Sequence, residues 1–187
     1  TMGFKVITPP TEPVTLAEAR LHLRVTDTSE DALITSLITA ARIYCEHYTQ
    51  RAIGSQTLEL ALDEFPDGSI ELPMSPVTAI TSVKYIDEAG TEQTISSANY
   101  TLDDYSHTHW VVPAVNYVWP MPICGANVVK VRYVAGAATT PAPVLAAMKL
   151  IVGHLFENRE QSIVGLTINE LPMGVMSLLD TYRIWSK

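Results

Sequence analysis

The sequence has few of the residues and runs that mark several classes of protein. It contains only two cysteines, Cys45 and Cys124, far apart and in no shared motif, which excludes a disulfide scaffold and a cysteine-based zinc site. Cys45 falls on an apolar helix face, and a buried free thiol suits a reducing cytoplasm. No apolar run approaches the length of a membrane span, and the polar start TMGFKVITPP is not a signal peptide. Thr1 is expected to be a cloning remnant, with Met2 as the natural start.

Basic residues are also scarce. Twelve Lys and Arg against twenty Asp and Glu give a formal net charge of −8, and the basic residues are scattered singly, which argues against a dedicated nucleic-acid binder. The nine glycines are isolated and form no phosphate-binding loop. The chain has no G-x-S-x-G elbow, no cysteine in an activating context and no carboxylate pair that spacing brings together. With 47% hydrophobic and 17% charged residues, it is expected to be an ordinary globular protein without catalytic activity.

Helix signals lie towards the two ends of the chain. The stretch PVTLAEARLHLRV begins with a capping box, in which Thr15 caps the helix and Glu18, three residues later, reaches back to it. After the polar break TDTSED, a longer helix is predicted over EDALITSLITAARIYCEHYTQ, ending near Arg51 to Gly54. Its apolar stripe at helical spacing consists of Leu33, Ile34, Leu37, Ile38, Ala41, Tyr44, Cys45 and Tyr48.

From Ser55 the apolar residues recur with a period of two, which is typical of strands. Strands are predicted at TLELAL, IEL, VTAITSVKYI, TEQTI, YTLDD, HWVV and NVVKVRYV, with turns such as PDGS and DEAG between them. The Pro-rich WPMPICG, residues 119–125, is predicted to be an irregular connection. This spacing indicates an antiparallel unit, partly barrel-like or sandwich-like.

The helical pattern resumes at about Pro143, and Pro172 marks the start of a last helix, PMGVMSLLDTYRIW. The predicted fold class is therefore α+β. It has two N-terminal helices, a long helix near 143–160 and a C-terminal helix, with an inserted antiparallel β unit. We predict a helical core from residues 1–54 and 135–187, and a β subdomain from residues 55–134.

The stretch LIVGHLFENRE, residues 150–160, places His154 three residues before Glu157, a spacing that can hold a metal on one helix face. The apolar stripe from Val144 to Phe156 defines the buried face, and both side chains fall outside it. A zinc helix would also carry a second His, as in H-E-x-x-H. We therefore interpret this outward face as a subunit or partner contact. Its candidate residues are His154, Glu157, Asn158, Arg159 and Glu160.

A second candidate metal site lies in DDYSHTHW, where His107 and His109 would point to one side of a strand. A polar hairpin tip accounts for the same residues, and a third ligand would have to come from elsewhere in the chain. We favour the hairpin tip and predict no bound metal or cofactor. Four aromatic residues, by the same reasoning, are more typical of core or interface anchors than of a surface for stacking bases or sugars; they are Trp110, Trp119, Trp185 and Tyr117.

The order of several short motifs resembles the head–tail connector, or adaptor, family of tailed bacteriophages, which phages and bacterial prophages encode. The most specific pieces are the LAEA…LRV start, the Y-T-x-R-A helix end at Tyr48 to Ala52, and GHLFENRE. The match continues through TLELALDEFP, IELPMSPV, SVKYIDEAGTEQTI and VKVRYVAGAATTPAPVLAAMKL, and ends in ELPMGVMSLL. The resemblance therefore covers nearly the whole chain.

The resemblance implies a structural role in virion assembly, without catalytic residues. Such proteins form a ring of about a dozen subunits beneath the portal of the capsid, extend the channel for DNA and dock the tail or a stopper protein. The expected location is the head–tail junction of the virion, and the host cytoplasm during assembly. A net charge of −8 suits a conduit that must not retain DNA.

Two alternatives stay open at this point. One lies in the same class: a tail-completion or other minor virion protein. The other is a small metal-binding module or metal-dependent enzyme that uses His107 and His109.

Overall fold

The chain forms four α-helices and eight β-strands within residues 2–158 and 173–184, which are the residues that the computed structural model describes. The helices are α1 (Leu16–Leu23), α2 (Asp31–Thr49), α3 (Ala142–Glu157) and α4 (Met173–Asp180). The strands are β1 (Met2–Thr8), β2 (Gln56–Leu62), β3 (Ile70–Leu72), β4 (Val77–Ile86), β5 (Glu92–Ile95), β6 (Tyr100–Asp103), β7 (His109–Pro113) and β8 (Val129–Ala135). The α+β class predicted from the sequence is confirmed.

The chain divides into two units. The helical unit consists of Glu12–Ile53 and Thr139–Lys187, and the β unit of Thr1–Thr11 and Gly54–Ala138. The prediction that placed the first residues in the helical core was wrong, because β1 pairs antiparallel with β2. This strand could not be predicted from the sequence, because its partner β2 lies far along the chain and no short turn connects the two strands. The remaining domain boundaries stay a prediction.

The ends of the first two helices follow from local residues. Thr15 Oγ1 accepts a hydrogen bond from the Glu18 amide at 3.2 Å, and Glu18 Oε2 accepts one from the Thr15 amide at 2.9 Å. This reciprocal arrangement is the predicted capping box. Helix α2 ends at Thr49, slightly earlier than expected, because Gln50 adopts a left-handed conformation with φ of 56°.

The core of the helical unit is formed by the apolar stripes that the sequence indicated. Ile34, Ala41 and Cys45 of α2 are completely buried, as are Ala147, Met148 and Val152 of α3 and Val175 and Leu179 of α4. Burial of a Leu- or Ile-sized side chain contributes about 1.5–3 kcal/mol, so this cluster is the main source of stability in the helical unit.

The β unit contains two antiparallel sheets. Strand order in the larger sheet is β1-β2-β8-β4-β5, and in the smaller sheet it is β3-β7-β6. Every second residue of β8 is buried, as expected for a central strand with one face in the core. The completely buried side chains of this unit include Leu60, Leu72, Val83, Val111, Val129, Val131 and Tyr133.

Two glycines allow the backbone of the β unit to make a close crossing. Gly136 has a φ of +91°, and a Cβ added there would lie 1.9 Å from the carbonyl oxygen of Gly54. Gly54 itself has a φ of +80°, and its added Cβ would lie 2.8 Å from the carbonyl oxygen of Thr11. Only glycine is suited to these positions, because the backbone is left-handed and no room is left for a Cβ atom.

Candidate subunit interface

The end of α3 carries the interface residues predicted from the sequence. Its buried face includes Met148 and Val152, whereas His154 is half-buried and Glu157 and Asn158 are exposed. Asn158 closes the helix because its amide and its side-chain Nδ2 both donate to the carbonyl oxygen of His154, at 3.0 and 2.9 Å. The structure thus places three of the five predicted residues on an accessible helix end.

The other two predicted interface residues, Arg159 and Glu160, lie outside the described residues, and so does Trp185. Their proposed roles stay predictions. Among the residues that the structure does describe, no group of three or more His, Cys, Asp and Glu side chains is arranged to hold a metal ion.

Helix α1 lies against α3 close to the same end. Lys149 Nζ is 3.3 Å from Glu18 Oε1, so the residue that caps α1 also pairs with α3. A Cβ added to Gly153 would lie 3.6 Å from His22 Nε2, which is an ordinary contact distance. Hydrogen bonds from Thr15 and then from Lys149 lower the pKa of Glu18, so its carboxylate is charged at neutral pH.

A partly buried ion network joins α2 to the segment before α1. Arg42 Nε lies 3.1 Å from both carboxylate oxygens of Glu12, and Arg42 Nη1 lies 2.6 Å from Glu46 Oε2. The other oxygen of Glu46 accepts a hydrogen bond from the amide of Ile53 at 2.9 Å. Because each carboxylate has partners, these charges are tolerated in a region that contacts little water. This network could not be predicted from the sequence, because its members are spread over about forty residues whose helical pattern is amphipathic.

The Y-T-x-R-A motif at the end of α2 has a clear structural function. Tyr48 donates a hydrogen bond to Asp180, Thr49 accepts one through its carbonyl oxygen from the amide of Ile184, and Arg51 Nε donates one to the carbonyl oxygen of Tyr182. These three bonds are 2.6, 2.9 and 2.6 Å long. The motif therefore holds the end of α4 and the residues after it.

The two histidines of the metal hypothesis have different surroundings. His109 is buried, and its Nδ1 accepts a hydrogen bond from the amide of Val77 at 3.0 Å, while its own amide donates to Ser75 Oγ at 3.2 Å. His107 lies in the bend before β7 and is exposed. One ring nitrogen of His109 is therefore hydrogen-bonded to the backbone. A structural role in the β unit accounts for this residue.

Cys45 offers no nucleophile. It is completely buried in α2, and burial raises the pKa of its thiol to about 12. A thiol of that pKa is protonated at neutral pH and is a poor nucleophile. Cys124, in contrast, is exposed.

An aromatic cleft lies in the β unit, at the Pro-rich connection. Phe65 and Trp119 stack with ring centroids 5.1 Å apart and an interplanar angle of 6°, and Tyr117 meets Trp119 edge-on at 5.8 Å. The indole Nε1 of Trp119 donates to the carbonyl oxygen of Gly68 at 2.7 Å, which fixes the ring. The cleft has a volume of about 430 Å³ and is lined in part by Asp63, Glu64, Asp67 and Met121. A second hollow of about 480 Å³ shares Asp63 and Glu64 and adds Glu71 and Trp110.

The aromatic residues thus serve as anchors in part, as the sequence suggested. Trp119 is held by stacking and by a backbone hydrogen bond, but it also forms a wall of an open cleft with acidic side chains. The sequence contained the signal for this cleft in LDEFPDG and WPMPICG, which both combine turns with aromatic rings. The contact between these two segments depends on the tertiary structure and was not predicted from the sequence.

Comparison with known proteins identifies the family of this chain. Residues 13–109, more than half of the sequence, match the model of the family described as Phage gp6-like head-tail connector protein. No curated protein matches the sequence significantly.

Solved structures extend the likeness to the whole chain. A chain in the neck of an empty GTA particle computed with C6 symmetry is 25% identical with a TM-score of 0.83, covering 99% of this chain and 97% of that one. A chain in the virion of the native gene transfer agent (GTA) particle is 25% identical with a TM-score of 0.81, covering 98% and 96%. A chain in the neck of the native GTA particle computed with C12 symmetry shares the fold, with 24% identity, a TM-score of 0.81 and coverage of 99% and 97%.

Proposed function

Because the chain belongs to the family of phage gp6-like head–tail connector proteins, we propose that it is a structural virion protein that joins head to tail as a ring of identical subunits. The observation that carries this proposal is the likeness, along almost the full length of both chains, to a protein in the neck of a GTA particle. Its site of action is the head–tail junction, and it is made and assembled in the host cytoplasm.

The proposed ring lies beneath the portal protein, extends the channel through which DNA passes and offers a face to the tail or to a stopper protein. Six- and twelvefold symmetry of the related necks supports a closed ring, and we propose about twelve subunits. Only passing contact with DNA is required. The net charge of −8 supports this role, since an acidic chain has little attraction for phosphate groups.

The exposed end of α3 is proposed as one contact surface of this ring or of its neighbours in the virion. His154, Glu157 and Asn158 lie there, and Arg159 and Glu160 follow directly in the sequence. We assign these residues to binding and not to chemistry. The polar contacts of His109 and the high pKa of Cys45 support a function without catalysis.

The proposal is tested by light scattering over a concentration series, with and without the portal protein of the same phage or prophage. We expect a closed ring on the portal, visible by electron microscopy as added density below the portal channel. The portal alone is the control for that density. A protein that stays monomeric at all concentrations and ignores the portal would contradict the proposal. Binding to purified tails but not to the portal would instead favour a tail-completion protein.

A further inference from the structure

Three acidic side chains around the aromatic cleft have no partner among the described residues. The carboxylates of Glu64, Asp67 and Glu71 are exposed, and no described residue forms a hydrogen bond or ion pair with any of them. Val118 and Met121, on the Pro-rich connection, are 84% and 76% exposed. The cleft thus combines stacked aromatic rings, exposed apolar side chains and uncompensated negative charge, and no Lys or Arg of the described part of the chain lines it.

Unpaired surface cations are rare among the described residues. Most Lys and Arg side chains of the described residues pair with a carboxylate, a carbonyl oxygen or an aromatic ring. Among the described cations, Arg24 and Lys130 form no such hydrogen bond or ion pair, although the charge of Lys130 helps to lower the pKa of Glu92. Arg24 is exposed at the end of α1, one helical turn beyond Leu21, which is 82% exposed. This end of α1 therefore presents one apolar side chain and one unpaired guanidinium.

We propose that the aromatic cleft of one subunit receives the end of α1 of a neighbouring copy of the chain. Leu21 packs against the exposed apolar residues beside the cleft, such as Met121, and the Arg24 guanidinium lies among the carboxylates of Glu64, Asp67 and Glu71. A guanidinium is suited to this environment because it pairs with carboxylates and also stacks on aromatic rings.

A second copy is the occupant that the charges favour. The acidic cleft repels nucleic acid, whereas α1 supplies an apolar and a cationic group only one helical turn apart. A closed ring of identical subunits needs two different surfaces that complement each other, and these two surfaces do. The inference rests on the proposed ring and names one of its contacts.

Charge reversal tests this contact directly. Arg24→Glu, and the double variant Glu64→Lys with Asp67→Lys, are each expected to raise the concentration needed for half-assembly on the portal about tenfold or more. Combining all three substitutions is expected to restore most of the assembly, because the attraction is re-formed with inverted signs. Lys130→Glu is the matched control, since it changes the net charge as Arg24→Glu does but lies in β8 and is expected to assemble normally.

Cross-linking gives a second measurement that leaves the charges intact. Cys124 is exposed and lines the cleft, while Cys45 is completely buried. A Leu21→Cys variant, assembled on the portal and treated with a short bismaleimide, is expected to form covalent dimers and higher multimers. The same variant with Cys124→Ser is expected to form none.

The outcomes separate this contact from the ring itself. If the unaltered protein forms no ring on the portal, both the proposed function and this contact fail. If rings form but neither charge reversal weakens them, or if intact Leu21→Cys rings give no cross-link through Cys124, the contact is overturned and the ring stands. Cross-linking with restored assembly in the combined variant would establish the contact.

Discussion

Tyr48 near the end of α2 and Asp180 at the end of α4 are joined by a hydrogen bond of 2.6 Å from the phenol to the carboxylate. The same ring stacks on Tyr44 and lies 5.0 Å beneath the guanidinium carbon of Arg183. The hydrogen bond to Asp180 is the main reason why the pKa of Tyr48 is raised. A short motif that looked like the end of a helix is therefore the attachment point of the C-terminal helix.

Tyr48→Phe removes this hydrogen bond and keeps the ring contacts. We expect a lower free energy of unfolding, because the hydrogen bond is lost while the ring contacts remain. Hydrogen exchange should increase chiefly in α4. Urea unfolding and exchange mass spectrometry measure the two effects. Tyr44→Phe is the control, because within the described residues the Tyr44 hydroxyl bonds only to the sulfur of Met176, at 3.9 Å. Equal effects of both variants would show that the Asp180 bond has no special role.

Thr15→Ala should cost about 1 kcal/mol at neutral pH, because it removes the side-chain half of the capping box. The cost should shrink in acid. The pKa of Glu18 is lowered in the folded state, so this stabilisation is present above the ordinary carboxyl pKa and is lost as pH falls through the lowered value. Urea midpoints at several pH values test this, and Thr28→Ala, an exposed change outside the helices, is the control. A cost that does not depend on pH would show that the Glu18 carboxylate does not contribute to the stability of the cap.

Gly136→Ala should be among the most damaging single changes in the β unit. It combines a left-handed backbone with a Cβ placed 1.9 Å from the Gly54 carbonyl oxygen, and we expect a loss of about 3 kcal/mol or more. Gly90 is a matched control, since its φ is +79° but nothing lies within 4 Å of an added Cβ. Gly90→Ala should cost only about 1 kcal/mol from backbone strain. Thermal unfolding of both variants separates overlap from strain, and similar losses would refute the close crossing.

Replacing His154 and Glu157 together with Ala should leave a folded protein, because the buried face of α3 from Val144 to Val152 is untouched. We expect a change in stability within about 0.5 kcal/mol. Binding to the portal or ring formation should weaken, since interface polar groups would lose partners. Light scattering and a urea titration measure the two quantities. A double variant that assembles as well as the unaltered protein would remove the proposed role of this surface.

His109→Ala should destabilise the protein by about 2 kcal/mol with or without zinc, because the buried amide of Val77 loses its acceptor. His107→Ala, at an exposed position, should change stability by less than about 0.5 kcal/mol. Melting temperatures with zinc and with chelator check both. A melting temperature of the unaltered protein that rises with zinc, and does so only when both histidines are present, would support the metal hypothesis instead.

Two kinds of helix signal could be predicted from the sequence, namely the cap of a helix and its buried face. The capping box at Thr15 was predicted in full because both partners lie within one turn of helix. The buried stripe of α2 followed from its spacing, since a helix brings residues three and four apart onto one face. The outward position of Glu157 followed in the same way, and the structure agrees.

The sequence by itself determined most of the local structure: which segments are helices, which segments other than β1 are strands, where α1 begins, and which residues of the main helices face the core. Only the tertiary structure decided that β1 pairs with β2, that Arg42 bridges Glu12 and Glu46, and that Phe65 stacks on Trp119. The physical reason is the range of the interaction. Helical and alternating patterns repeat over a few residues and can be read along the chain. A partner fifty or more residues away, such as Trp119 for Phe65, is selected by packing and hydrogen bonding that exist only once the whole unit has folded.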